Sequence, residues 1–229
     1  MNIFLLPFAG GSKYSYHSFI QSNSLPVSFI PLELPGRGTR IEESLLEDIE
    51  LHADDIFNQI LPYITNAPYA IFGHSMGAIL SFLILERLVR KGVAMPSHVF
   101  FSGCSGPSVY RINDIYLLPK KNFFEQVEKI GGSISSIFSN DELLNYIEPI
   151  LRADLKALYH FKYNHHHKFD VPATVLIGSS EGITDKNALA WQKEIKYPVK
   201  LKKFEGGHFF IFDHSHEIVR MIATSVNLT

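Results

Sequence analysis

A serine flanked by glycines stands between a strand-like segment and a helix-like segment of the chain. The stretch GHSMG, residues 73–77, matches the pattern G-x-S-x-G and follows the apolar run YAIF. A tight strand–turn–helix needs small residues on both sides of the serine, and it lifts the hydroxyl above the end of the strand. The sequence therefore predicts that Ser75 is a nucleophile and that the backbone N–H of Met76 stabilises an oxyanion.

A serine hydroxyl at neutral pH needs a general base, and the chain has eleven histidines. His208 follows a strand-like run and two glycines, where the chain order serine, acid, histidine puts the base. We interpret His74 as a packing residue. The adjacent histidines at 165–167 are typical of a solvated turn, because neighbours in sequence do not converge on a metal as helix-spaced ligands do. The sequence predicts His208 as the base and predicts no metal site.

The third catalytic group should be a carboxylate that orients the imidazole. In this chain order it follows the strand that precedes the histidine's strand, within VPATVLIGSSEGITDKNALAW. Glu181 lies nearer the end of that strand than Asp185 does. We favour Glu181 as the acid and keep Asp185 as the alternative.

A second oxyanion donor is expected from a loop after an early strand. The segment LLPFAGG follows the first apolar run, and its glycines let the backbone approach a ligand closely. We predict that the N–H of Ala9 is this donor and that Gly10 beside it contacts the substrate.

Short apolar runs alternate with helical patterns along the chain, which indicates an α/β fold with a mostly parallel sheet and helices on both faces. The runs are rich in β-branched and aromatic residues and are bounded by turn formers. The predicted strands are Ile3–Leu6, Ser28–Leu32, Tyr69–Phe72, His98–Ser102, Ala173–Ile177 and Val199–Phe204. The predicted helices are Ser44–Tyr63, Met76–Lys91, Lys186–Ile195 and His214–Ala223.

Residues 108–168 interrupt this alternation with helical patterns and no good strand. Apolar residues recur at three- and four-residue steps in KKNFFEQVEKI and in SNDELLNYIEPILRADLKALYHF. Ser139 and Glu142 have capping-box spacing, and Pro149 should kink the second helix or split it. An amphipathic helical insertion between two strands predicts a lid over the site.

The composition favours one soluble domain spanning residues 1–229. Apolar residues make up 46% of the chain, the formal net charge is −2, and the sequence pI is about 6.6. This balance gives no indication of nucleic acid or of an anionic membrane as a partner. A single cysteine, Cys104, excludes an internal disulfide, and the apolar start lacks the positive charge of a signal peptide. We expect a cytoplasmic protein.

Several motifs occur together in one order, and their combination is specific. They are PFAGG, LPGRGTR, GHSMGA, PILRADLKALYHF, a lone tryptophan after the acid loop, and GGHFF. The chain resembles the type II thioesterases, the free-standing editing enzymes of non-ribosomal peptide and polyketide synthesis. It is also similar to the medium-chain thioesterases of fatty acid synthesis. The resemblance extends from Leu5 to Phe210.

This resemblance implies an α/β-hydrolase fold with a helical lid and a Ser-acid-His triad, without any cofactor. It places the nucleophile at Ser75 and the base at His208; Glu181 stands where the family usually has aspartate. The implied substrate is an acyl group on the phosphopantetheine arm of a carrier protein. Arg37 in PGRGTR would line the channel for that arm or contact its phosphate; a loop-stabilising hydrogen bonder is the alternative.

Three other functions share the same local motifs. A general carboxylesterase or lipase has the same triad and fold. An acyltransferase passes the acyl group to an amine or alcohol instead of water. A non-catalytic carrier-binding protein would have a decayed site, which the intact serine and histidine disfavour. We favour the thioesterase and expect a monomer.

Overall fold

The computed structural model describes residues 1–21, 26–64, 68–131, 141–165 and 167–226. Within these parts of the chain six strands form one parallel sheet in the order β2-β1-β3-β4-β5-β6. The strands are β1 Asn2–Leu6, β2 Ser28–Pro31, β3 Tyr69–His74, β4 His98–Ser102, β5 Ala173–Gly178 and β6 Lys200–Phe204. All six predicted strands are confirmed.

Helices connect the strands, as parallel pairing requires. The α-helices are α1 His17–Gln21, α2 Ile49–Ile60, α3 Met76–Lys91, α4 Lys120–Gly131, α5 Asp141–Tyr159, α6 Asp185–Leu189, α7 Phe210–Asp213 and α8 Ser215–Val226. α3 has its predicted bounds, whereas α2 begins later than expected because Asp48 caps it by accepting the N–H of Glu50. No helix of the described ranges is long and apolar enough to cross a bilayer.

Alternate residues of each central strand face opposite sides of the sheet, and each side has its own apolar core. In β1, Phe4 and Leu6 pack with residues of α2 and α3. Ile3 and Leu5 pack instead with residues of α1, α7 and α8. Because both faces are covered, the central strands are continuously apolar, as buried parallel strands must be.

The predicted insertion contains α4 and α5, which lie between β4 and β5. α5 is one helix, so of the two outcomes predicted for Pro149 the split is wrong, whereas the kink stays a prediction. Pro149 and Asn145 are exposed, and the carbonyl that loses its donor is therefore open to water. Ser139, the predicted cap, lies outside the described residues. The lid function stays a prediction.

Candidate active site

The turn between β3 and α3 holds Ser75 in a strained conformation. Its φ of 56° and ψ of −116° make it the only non-glycine residue with positive φ among the described ranges. Its N–H donates to the carbonyl of Ser102 at the end of β4, with an N···O distance of 2.7 Å. Such strain persists only where the surroundings enforce it, and it is concentrated at functional sites.

The two glycines of GHSMG allow the helix to lie directly against the sheet. A Cβ atom at Gly73 would stand 2.0 Å from the carbonyl oxygen of Gly77. A Cβ at Gly77 would stand 2.7 Å from the carbonyl oxygen of Leu6 in β1. Both contacts are with backbone, which cannot rotate away, so the motif is required by packing as well as by the turn.

Gly77→Ala is expected to lower the free energy of unfolding by about 3 kcal/mol, since overpacking against backbone forces helix and strand apart. This loss is the net value after alanine's higher helix propensity, which acts in the opposite direction by about 1 kcal/mol, has been taken into account. Urea unfolding followed by circular dichroism measures the loss. Gly92→Ala is the control: Gly92 has a positive φ of 65° but no atom near its Cβ position, so about 1 kcal/mol is expected. Equal losses in the two variants would contradict the packing argument.

His208 and Glu181 form a close pair at the same edge of the sheet. Nδ1 of His208 lies 2.9 Å from Oε2 of Glu181. The other oxygen, Oε1, accepts the N–H of Gly178 at 2.6 Å, and the Glu181 side chain is fully buried. An ionised carboxylate only accepts hydrogen bonds, so Nδ1 carries the proton and Nε2 is left as the basic nitrogen.

Asp185, the alternative acid, lies apart from this pair. It is the first residue of α6, its side chain is 58% exposed, and it forms an ion pair with Lys203. Of the two candidate carboxylates, Glu181 alone contacts His208 in the described structure.

The loop after β6 carries His208, whose ring lies against the residue that follows β4, next to the turn of Ser75. Gly103 directly follows Ser102, whose carbonyl accepts the Ser75 N–H. A Cβ at Gly103 would lie 3.2 Å from Cε1 of His208. No hydrogen bond joins the Ser75 hydroxyl to His208 in the described ranges. Catalytic hydrogen bonds are often long in unliganded enzymes and tighten with substrate bound.

His74 packs behind the site, as expected from the sequence. It is fully buried, its Nδ1 lies 2.9 Å from Oγ of Ser102, and its ring centroid is 4.8 Å from that of His208. Burial lowers the pKa of His74 well below its usual range, and the charge of His208 lowers it further. A neutral ring there adds no fixed positive charge beside the base.

Two backbone donors remain available near Ser75. Met76 is the first residue of α3, and Ala9 lies in the turn that the N–H of Gly11 closes on the carbonyl of Phe8 at 2.9 Å. Neither N–H has a protein partner in the described ranges, which suits donors reserved for a ligand. The N–H of Gly10, in contrast, donates to Oδ2 of Asp154 at 2.8 Å.

Arg37 is 1% exposed and is not positioned to line a channel. Nη1 and Nη2 bind the two carboxylate oxygens of Asp154 at 2.6 and 2.7 Å. Burial raises the pKa of Asp154, but the Arg37 guanidinium more than offsets this and holds the value at about 2. This position of Arg37 fits the alternative interpretation, in which its hydrogen bonds stabilise the loop.

Sequence reasoning missed Asp154 and misplaced His165. Asp154 is an acidic residue in the apolar stripe of α5, and a charge on a buried helix face is a signal that it has a partner. The solvated turn expected at 165–167 is wrong for His165, which is buried with Nδ1 2.9 Å from Oε1 of Glu86. His166 lies outside the described residues. Across the described ranges, no group of three or more His, Cys, Asp or Glu residues is arranged to hold a metal ion.

Comparisons with known proteins find relatives that match nearly the whole chain. The family model described as "Thioesterase domain" matches residues 1–226. The gramicidin S biosynthesis protein GrsT of Aneurinibacillus migulanus is 26% identical over 230 residues, covering 100% of this chain and 90% of GrsT.

Solved structures give the same result. ClbQ from the colibactin NRPS/PKS pathway superposes with a TM-score of 0.91 at 28% identity, covering 99% of this chain and 96% of ClbQ. The type II thioesterase BorB from the borrelidin biosynthetic cluster superposes with a TM-score of 0.89 at 29% identity, covering 98% of this chain and 92% of BorB. The predicted α/β-hydrolase fold is therefore confirmed.

Proposed function

The chain belongs to the thioesterase family, whose members are serine hydrolases acting on thioesters, and on this premise we propose that it is a type II thioesterase. Its substrates are acyl groups on the phosphopantetheine arm of carrier proteins of non-ribosomal peptide or polyketide synthases. Hydrolysis removes a stalled or mistaken acyl group and regenerates the free thiol. Relatives named for such pathways support the proposal.

In the first half-reaction the Ser75 hydroxyl attacks the thioester carbonyl carbon while Nε2 of His208 takes its proton. The carbonyl oxygen becomes an oxyanion, and the N–H groups of Ala9 and Met76 bind it. Glu181 stabilises the imidazolium through Nδ1. The intermediate then collapses, the carbon–sulfur bond breaks, and the thiol leaves with the proton from His208.

In the second half-reaction water attacks the acyl-enzyme. His208 takes a proton from the water, and the oxyanion forms again in the same place. Collapse breaks the bond between the acyl carbon and Oγ of Ser75, Oγ takes the proton back from His208, and the carboxylic acid leaves. Side chains, backbone and water complete both steps, so the proposed reaction uses no cofactor.

The pairing of His208 with Glu181 beside the strained serine is the observation that carries this proposal. A buried carboxylate with one oxygen fixed by the Gly178 N–H and the other at 2.9 Å from a histidine leaves Nε2 as an oriented base. If the ion pair had only a structural role, a nucleophile held at a positive φ next to it would not be required.

We also propose that α4 and α5 form a lid over the site. Side chains of α5 already lie on the turn after β1: a Cβ at Gly10 would stand 2.6 Å from Cδ2 of Leu151. Substrate entry would then require α4 or the N-terminal half of α5 to move, as lids of this kind do, while the Asp154–Arg37 pair holds the C-terminal half in place.

One comparison of substrates tests the proposed class. Three substrates with the same acyl group are offered: the acyl-phosphopantetheinyl carrier protein, the acyl-pantetheine thioester without the carrier, and the matching oxygen ester. Ser75→Ala is the blank. We expect kcat/KM to be at least about tenfold higher for the carrier than for either small substrate, because remote binding energy is used at the reacting centre.

Each other ranking identifies a different enzyme. Faster cleavage of the oxygen ester with the carrier untouched would mean a general esterase. Consumption of the carrier thioester only when an amine or alcohol is added would mean an acyltransferase. Equal rates for the two thioesters would remove carrier proteins from the proposal and leave a small-molecule thioesterase.

A further inference from the structure

The turn that supplies Ala9 is fixed from outside its own segment. The N–H of Gly11 closes it on Phe8, and Gly10 has a φ of 75°, as the third residue of a type II turn requires. Such a turn leaves two interior N–H groups, those of Ala9 and Gly10, without partners inside the turn. One is bound by Asp154 and the other has no partner among the described residues.

Asp154 reaches this turn from α5, far away in the chain. Its side chain is fully buried, and Oδ2 accepts from both Gly10 N–H at 2.8 Å and Arg37 Nη1 at 2.6 Å. Oδ1 accepts from Arg37 Nη2, and Nε2 of the buried His52 lies 3.3 Å from the same oxygen. The Gly10 and Arg37 donors thus converge on two carboxylate oxygens, an arrangement that only an ionised carboxylate satisfies.

Arg37 lies on the loop after β2 and binds this carboxylate. It is itself buried, and besides the bidentate pair its Nη1 points at the carbonyl of Gly11 at 3.4 Å. The guanidinium therefore contacts the carboxylate and the far end of the turn at once. Leu151 of α5 packs on Gly10 from the same side, so the turn cannot shift without moving α5.

We propose that Asp154, held in place by Arg37, is a positioning residue for the oxyanion hole: by binding the N–H of Gly10 it fixes the turn so that the N–H of Ala9 faces the reacting carbonyl. This inference rests on the proposed function of Ser75 and Ala9. Asp154 does not touch the substrate. It acts on the transition state through Ala9 and has little effect on how tightly the ground state binds.

Two variants remove this anchor in different ways. Asp154→Asn offers one acceptor oxygen where three donors meet, and it leaves the Arg37 charge unpaired. Arg37→Met combined with Asp154→Leu removes both charges, so it avoids an uncompensated buried charge and is the safer variant for folding. Lys156→Gln is the matched control, because Lys156 pairs α5 with Glu47 at the surface and does not contact the turn.

Turnover of acyl-pantetheine is measured per active site, with sites counted by titration with a fluorophosphonate. We expect kcat to fall about 10- to 100-fold in both anchor variants, with KM within about 3-fold of wild type, because a displaced oxyanion donor acts in the transition state. An acyl trifluoromethyl ketone, which forms a tetrahedral adduct on a serine, should bind more weakly by the same factor. Lys156→Gln should stay within about 2-fold.

A merely structural role for Asp154 would give a different result. Fewer titratable sites with unchanged kcat per site and unchanged affinity for the ketone, in either variant that folds, would overturn the inference. Full thioester turnover by Ser75→Ala in the same assay would instead contradict the proposed function, whatever the anchor variants do.

Discussion

Ser75→Ala is expected to lower kcat for thioester hydrolysis by about 10⁴- to 10⁶-fold, because without the hydroxyl no acyl-enzyme can form. Alanine fits the same turn, since it is smaller than serine. The residual rate is that of water attack assisted by the remaining oxyanion donors. Steady-state kinetics on acyl-pantetheine measures the loss, and mass spectrometry of the intact protein shows whether acyl mass accumulates on the wild type.

The control for Ser75→Ala is its folding. Near-UV circular dichroism and the melting temperature should match the wild type, because the Ser75 N–H, not its hydroxyl, bonds to Ser102. A variant that is folded and retains turnover within a few-fold of wild type would show that Ser75 is not the nucleophile.

Glu181→Gln should lower kcat by about 10³- to 10⁴-fold. The physical reason lies in the second oxygen of the carboxylate. The N–H of Gly178 donates to Oε1, so the glutamine oxygen takes that position and its NH₂ group faces Nδ1 of His208. A donor there requires Nδ1 to accept and places the proton on Nε2, where His208 can no longer take the serine proton.

Asp185→Asn is the matched control, because Asp185 is exposed and paired with Lys203. Its kcat should stay within about 2-fold of wild type, since an exposed ion pair contributes little. Glu181→Asp keeps the charge but shortens the reach by one methylene, so an intermediate kcat is expected. A large loss in Asp185→Asn together with a small one in Glu181→Gln would make Asp185 the acid.

Local patterns in the sequence were enough to place the strands and the serine turn. Parallel strands buried on both faces have continuous apolar runs, and all six were found where such runs occur. GHSMG and GGHFF each combine a reacting residue type with glycines beside a strand, so these patterns by themselves single out Ser75 and His208. Helix ends were less well placed, because capping by a residue such as Asp48 competes with the apolar period.

Contacts between distant segments were decided only by the tertiary structure. Glu181 and Asp185 are four residues apart with similar chemistry, and the path of the loop after β5 determines which of them contacts His208. Arg37 and Asp154 are separated by 117 positions, and neither segment predicts the other.

The reason is the range over which each kind of information acts. Burial, backbone conformation and capping affect which residue types stand next to one another, so the sequence was enough to predict the α/β framework and to single out a candidate nucleophile and a candidate base. Partner choice for a buried charge depends on how whole elements pack, and it leaves only an isolated polar residue in an apolar pattern. The fold alone therefore decided that Arg37 anchors Asp154, and that Asp154 in turn binds the turn beside Ala9.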